Sequence, residues 1–185
     1  MHEQQGRPHV HRPGAVDLLG CQAHQATGRA AVPRLATRRA HPRVPADLAA
    51  VADDPCALLT PQQLEAISSG LATSTSGTPW GQTRCTWEND ELSFAIAPDT
   101  RTGGTIGDLL RSSNLMPVEV AGGYPAAEEP ATDDNVCGIY VAVDKTEVLV
   151  MTFYRRSSED PEHKVPCEFL KSIAAMTIEN IPPKS

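Results

Sequence analysis

The sequence predicts an α+β fold in which an antiparallel sheet of about five strands packs with three helices and carries two disulfides. Three segments show helical spacing of apolar residues, about five others alternate apolar and polar residues, and four cysteines are widely spaced. The order is helix, two strands, helix, three strands, helix. Because strands follow strands directly, this order favours an antiparallel sheet with helices on one or both sides.

Composition divides the 185 residues into a basic head and an acidic domain. Residues 1–50 hold seven arginines and three acids, a net charge of +4, so the remainder carries −7 − 4 = −11. The head lacks periodicity, which predicts either a disordered tail or translation from a wrong start or frame. Residues 53–182 form a single predicted domain, and its acidic excess argues against a nucleic-acid partner.

The three predicted helices have recognisable ends. Gln63 follows Thr60 by three residues, and Asp108 follows Thr105 by three. At this spacing the N-cap side chain and the side chain in the first helical turn can hydrogen-bond each other's backbone N–H groups. The third helix covers residues 166–180 with its apolar residues on one face, and two prolines stop it. These signals place one helix at each end of the domain and a short one in the middle.

The predicted strands show period-two alternation between turn residues. They cover residues 83–87, 92–96, 117–126, 136–143 and 147–154. Paired glycines inside the third predict a bulge or bend. The last is apolar on both faces, so we expect it at the centre of the sheet, antiparallel to its predecessor. Residues 72–79 are rich in Ser, Thr and Gly and are predicted to be a loop.

Four cysteines frame the domain, namely Cys56, Cys85, Cys137 and Cys167. An even set of this kind predicts two disulfides and a compartment outside the reducing cytosol. We expect one bridge between the terminal helices, Cys56–Cys167, and one between inward faces of two strands, Cys85–Cys137. Structural zinc favours cysteines two to four residues apart, a spacing absent here, so no metal and no cofactor is predicted.

No catalytic motif stands out. His163 is the only histidine in the domain, and its charged neighbours predict a solvated surface position. Adjacent acids occur at residues 128–129, 133–134 and 159–160, where loop positions also predict solvation. Trp80 and Tyr124 lie in Gly/Pro-rich segments with little core around them, so they are candidates for a contact surface.

Several of these residues carry a family resemblance. Asp54-Pro55-Cys56, Cys85-x-Trp87, Val120-Ala121-Gly122, Cys137 in an alternating strand and Cys167 on the last helix resemble the actinobacterial lipoproteins grouped as domain of unknown function 3558. The resemblance covers residues 53 to about 182 and implies an exported, lipid-anchored protein with no established activity. The element order is also similar to the Mog1 and PsbP type of α/β/α sandwich.

The head departs from that family. Leu18-Leu19-Gly20-Cys21 looks like the end of a lipoprotein signal, which would make Cys21 the lipidated residue. However, Pro, Gly and charged residues interrupt the preceding segment, where export requires 7–15 apolar residues. No run of 18 apolar residues occurs anywhere, so a membrane-spanning helix is not expected.

Together these features favour a binding or interaction module of the cell envelope rather than an enzyme. Its partner would be an envelope protein or ligand. It would contact the membrane only through a lipid anchor. One alternative is an envelope-directed hydrolase that uses a carboxylate pair. Another is a purely structural accessory subunit.

Overall fold

The computed structural model describes residues 46–184 except residues 80, 121 and 131. In this part the helices are α1 (Pro61–Ile67), α2 (Ile106–Ser112) and α3 (Pro166–Glu179), with 3₁₀ turns at Leu48–Val51, Pro55–Leu58 and Glu162–Lys164. The strands are β1 (Ala72–Gly77), β2 (Thr83–Glu88), β3 (Leu92–Asp99), β4 (Met116–Val120), β5 (Tyr124–Glu128), β6 (Val136–Ala142) and β7 (Val148–Arg155).

All the strands form one antiparallel sheet with the order β1-β2-β3-β7-β6-β5-β4. The α+β class and the antiparallel sheet are therefore confirmed, as is the central position of β7. The predicted number of about five strands is too low, because the described sheet has seven. The two additional strands come from two separate errors.

The first error concerns β1, which was predicted to be a loop. All six of its residues are exposed, so neither face carries the apolar alternation that marks a strand. Its register with β2 is nevertheless continuous, from Ala72 opposite Glu88 to Gly77 opposite Thr83. This strand is held by backbone pairing and a hydrogen bond from Arg84 to the Ser76 hydroxyl, neither of which leaves a trace in the hydrophobic pattern.

The second error concerns residues 116–128, which form a hairpin rather than one bent strand. Val120 lies opposite Tyr124, and the Gly123 N–H donates to the Val120 carbonyl at 3.0 Å. Gly122 and Gly123 have φ of +90° and +77°, a region that side chains disfavour. The paired glycines therefore reverse the chain completely.

The predicted helix ends are confirmed. The Thr60 hydroxyl accepts from the Gln63 N–H at 3.2 Å, and the Gln63 side chain accepts from the Thr60 N–H at 2.8 Å. Thr105 and Asp108 make the same reciprocal pair at the start of α2. Each cap satisfies N–H groups that a first helical turn leaves unpaired.

The main core lies between one face of the sheet and α3 with the first two 3₁₀ turns. Trp87 and Phe94, opposite each other on β2 and β3, are fully buried there with their rings stacked 5.0 Å apart. Residues 46–52, before the predicted domain start, also pack against it: Leu48 has no exposed surface. The Asp47 N–H donates to the Pro182 carbonyl at 2.8 Å, which joins the two ends of the domain.

The disulfides are Cys56–Cys85 and Cys137–Cys167, each with 5.2 Å between its Cα atoms. Two bridges were predicted, but the expected pairing was wrong. In the strand order β2-β3-β7-β6, Cys85 and Cys137 lie three strands apart, roughly 14 Å at about 4.8 Å per step. A disulfide requires about 4.4–6.8 Å between Cα atoms. Each strand cysteine instead bonds the helical turn packed above it.

Candidate ligand-binding pocket

The sheet face opposite α3 carries a cavity of about 370 Å³. Side chains from β3, β6 and β7 form its floor, α2 contributes Leu109, and the β1–β2 and β3–α2 connections close one end. Helix α2 packs mainly over β5 and β6, and the cavity lies beside it. The volume lies within the range of about 300–1,000 Å³ that small-molecule sites occupy.

The floor consists of small apolar residues and Tyr140, in register on neighbouring strands. Ala97, Val150 and Tyr140 lie opposite one another on β3, β7 and β6, and Val148 lies opposite Asp99 one step along. Since side chains two apart share a face, these residues all point away from the α3 core. Small side chains on neighbouring strands leave a depression that a larger residue would fill.

One end of the pocket is polar and internally hydrogen-bonded. The Thr78 hydroxyl donates to Gln82 Oε1, and the Gln82 side chain in turn hydrogen-bonds the carboxylate of Asp99. Asp99 Oδ1 accepts from the N–H groups of Arg101 (3.1 Å) and Thr102 (3.0 Å), while Oδ2 accepts from the Thr102 hydroxyl. Gln82 is buried. This network fixes the two connections against each other.

Asp99 is held in its ionised form by this network. Burial alone would raise the pKa of its carboxyl. Hydrogen bonds from the Thr102 hydroxyl, the backbone N–H groups of Thr102 and Arg101, and Gln82 outweigh burial and lower the pKa. At neutral pH the polar end of the pocket therefore carries a fixed negative charge and lacks a carboxylic acid that could donate a proton.

Tyr140 forms the opposite side of the floor and is held by Glu129. Its hydroxyl donates to Glu129 Oε1 at 2.7 Å, and the Glu129 side chain reaches it by crossing Gly138. A Cβ at position 138 would lie 2.5–2.6 Å from the Glu129 carboxyl group, so only glycine leaves this path open. Burial, then the hydrogen bond and charge of Glu129, raise the pKa of Tyr140 to about 12.

We expect an ultraviolet titration to show a late tyrosine transition, near pH 12, that belongs to Tyr140. Tyr140→Phe should remove that late transition. Glu129→Gln should lower the pKa of Tyr140, which stays above 10 because burial is the largest cause. Gly138→Ala should act like Glu129→Gln by displacing the carboxylate. An unchanged late transition in both variants would contradict the contact.

The raised pKa of Tyr140 also means that the folded state loses stability as the pH rises above 10. The folded state retains the phenolic proton between pH 10 and about pH 12, where the unfolded chain has lost it. The contribution of Tyr140 to the free energy of unfolding is therefore complete below pH 10 and declines as the pH rises from 10 to about 12.

A second cavity, of about 540 Å³, lies beside the Cys137–Cys167 bridge and is wider and more polar. Glu128 here forms an ion pair with Lys171 of α3 at 2.8 Å, and Arg155 donates to Asn135 and to the Ser158 carbonyl. Arg155 Nε is nevertheless buried without a hydrogen-bond partner among the described residues. Most residues that line this cavity are charged, so it suits a small apolar ligand less well than the pocket on the opposite sheet face.

The predicted acid pairs do not converge. Glu128 faces α3 and Glu129 faces Tyr140, because neighbouring residues at the end of β5 point to opposite sides of the sheet. The expectation that Glu128 is solvated was wrong, since its side chain is only 13% exposed. The acids at 133–134 and 159–160 are exposed as predicted.

His163 is buried rather than on the surface, so that prediction was wrong. Its ring packs edge-on against Phe169, with centroids 4.3 Å apart, and Nδ1 contacts the Ser158 hydroxyl. The charged residues around His163 suggested a surface position. The 3₁₀ turn exposes those neighbours but points the His163 side chain into the protein. Ser158 is also buried, at 2% exposure, so this Ser–His pair has no access to substrate.

Two of the candidate residues lie outside the described residues, namely Trp80 and Cys21. Tyr124 is half-buried against the core at the start of β5, and its role in a contact surface stays a prediction. Within residues 46–184, apart from the gaps, three or more His, Cys, Asp or Glu side chains nowhere come together as a metal site. The same part of the chain has no helix long and apolar enough to cross a membrane.

The fold and site define a disulfide-braced α+β protein with a small-molecule-sized pocket on one sheet face. Over residues 16–180 the chain matches the family described as protein of unknown function, DUF3558, and it belongs to that family. The resemblance to the domain of unknown function 3558 is thereby confirmed, and the match extends it from residue 53 back to residue 16, into the head. No curated protein matches the chain. No solved structure matches it either.

Proposed function

We propose that this protein is an extracytoplasmic binding module of the cell envelope that holds a small, largely apolar ligand on its sheet face. The observation that carries the proposal is the pocket over Ala97, Val148 and Val150, with a polar network at one end. Apolar walls with a few placed polar groups are typical of ligand sites. A purely structural subunit would not need such a cavity.

The alternative of a hydrolase has less support. Among the described residues that line the pocket, the one acid is Asp99, and it is held ionised. A carboxylate-pair mechanism needs a second acid with a raised pKa nearby, and the lining provides none. Binding without chemistry is therefore the function that the geometry supports best.

The cellular location rests on separate observations. The two disulfides favour an oxidising compartment, since thiols in the cytosol are kept reduced. We propose that the protein is an actinobacterial lipoprotein, anchored through Cys21 on the outer face of the cytoplasmic membrane or else secreted. Metabolic labelling with an alkyne fatty acid tests the anchor: wild type should be labelled and Cys21→Ser should not, and an unlabelled wild type would contradict anchoring through Cys21.

The binding proposal is tested by filling the pocket. Val150→Phe places a ring in the cavity floor, whereas Thr152→Phe adds the same ring two residues along β7, on the same face but outside the pocket. Small molecules extracted from the envelope should bind wild type and Thr152→Phe in native mass spectrometry, with at least about a tenfold loss in Val150→Phe. Equal binding by all three proteins, each checked for folding by circular dichroism, would refute the pocket as the site.

A further inference from the structure

We propose that the pocket selects apolar amines over apolar carboxylates, with the ammonium group at the Asp99 end and the hydrocarbon over β3 and β7. This inference rests on the proposed function and specifies the chemical class of its ligand. It follows from which hydrogen-bonding groups the polar end leaves available, from the charges around it and from the shape of the floor.

The polar end offers mainly acceptors. The hydroxyl protons of Thr78 and Thr102 are both used inside the network, towards Gln82 Oε1 and Asp99 Oδ2. The Thr78 oxygen also accepts the Gln82 N–H at 3.1 Å, so it has one lone pair left for a ligand, and the Thr102 oxygen has two. The Asp99 carboxylate already accepts four hydrogen bonds and acts on a ligand through its negative charge, so with the remaining hydroxyl lone pairs it matches a positively charged N–H donor.

The charge balance points the same way. No Lys, Arg or His is among the described residues that line the pocket. The nearest cation in sequence, Arg101, donates from Nη1 to the Gly81 carbonyl at 2.8 Å. A ligand carboxylate would therefore lie beside the like charge of Asp99 with no cationic residue in the lining to offset it, which is unfavourable in a partly desolvated site.

The floor accounts for the rest of the ligand. Ala97, Val148 and Val150 present methyl groups only, Leu109 of α2 forms an apolar wall, and the Tyr140 hydroxyl is already engaged by Glu129. Burial of alkyl or aryl groups there is favourable at about 25 cal/mol per Å². The ligand class is thus a hydrocarbon chain or ring that ends in a primary ammonium.

The test compares three probes of equal chain length at submicellar concentration and neutral pH: n-octylamine, n-octanol and n-octanoate. Isothermal titration of the full chain should rank the amine first and the carboxylate last, with about tenfold or more between them. Asp99→Asn keeps an acceptor for the turn and should bring the three affinities close together. Thr102→Lys, at an exposed position, should reverse the ranking.

Each outcome decides one proposal or both. Octanoate binding as tightly as octylamine, or a ranking unchanged in both variants, would overturn the selectivity while leaving a ligand pocket in place. If Val150→Phe leaves binding of every probe unchanged, or if no probe binds at all, the pocket itself and the selectivity are both refuted. If Asp99→Asn folds poorly, the reversed ranking of affinities expected for Thr102→Lys still decides the test.

Discussion

Removing the Cys56–Cys85 bridge with the double substitution Cys56→Ala/Cys85→Ala should lower the free energy of unfolding by about 3–4 kcal/mol. The bridge closes a loop with a sequence separation of 29, and the chain-entropy model assigns about that value to such a loop. Cys137→Ala/Cys167→Ala should cost a similar amount, since its separation is 30. Urea unfolding followed by circular dichroism measures both.

A thiol count provides the control for the pairing. Each matched double variant removes one bridge and should show no more free thiols than wild type under denaturing, non-reducing conditions. The crossed variant Cys56→Ala/Cys167→Ala should show two more, because Cys85 and Cys137 lie too far apart to bond. Two extra thiols in a matched variant would show that the pairing is wrong.

The two bridges brace opposite halves of the sheet. One fixes the Pro55–Leu58 turn to β2, and the other fixes the start of α3 to β6. The central pair, β3 and β7, has no bridge and is held by eight register pairs and the core beneath them. Because all this bracing lies on the α3 side, the opposite face can stay open for a ligand.

The strands that could be predicted from the sequence are those in which buried residues alternate with exposed ones. The hairpin β2–β3 and the pair β6–β7 were predicted correctly because alternate residues such as Trp87, Phe94 and Ile139 are buried on one face. Strand β1 has no buried residue and gave no such signal. The disulfide pairing needed the order of strands, which neither periodicity nor cysteine spacing contains.

The pocket was less accessible to prediction than the fold. Strand β7 was recognised as apolar on both faces, and Val148 and Val150 on its second face are now part of the pocket floor. That signal alone does not separate a pocket from a second core layer. The distinction comes from α2, which packs mainly over β5 and β6, so that a cavity is left over β3 and β7. The sequence did not indicate Asp99 as a site residue. Its role depends on hydrogen bonds with Gln82 in the β1–β2 connection and with Arg101 and Thr102 in the β3–α2 connection.

Replacement of Trp87 by Ala should lower the free energy of unfolding by about 3–5 kcal/mol, the typical cost of removing a large buried aromatic ring. Trp87 is fully buried, and its ring stacks on Phe94 beside the Cys56–Cys85 bridge. The cavity would lie between two covalently joined elements, which limits how far the core can collapse around it. Urea unfolding of the oxidised protein measures the loss.

Trp87→Phe should cost much less, below about 2 kcal/mol, for a reason specific to this site. The indole Nε1 is buried with no acceptor among the described residues, so phenylalanine retains a stacked ring and removes an unsatisfied donor. Thr86→Ala, the neighbour on the opposite face of β2, is the matched control and should stay within about 1 kcal/mol of wild type. If Trp87→Phe were as damaging as Trp87→Ala, the indole N–H would have to make a hydrogen bond that stabilises the core.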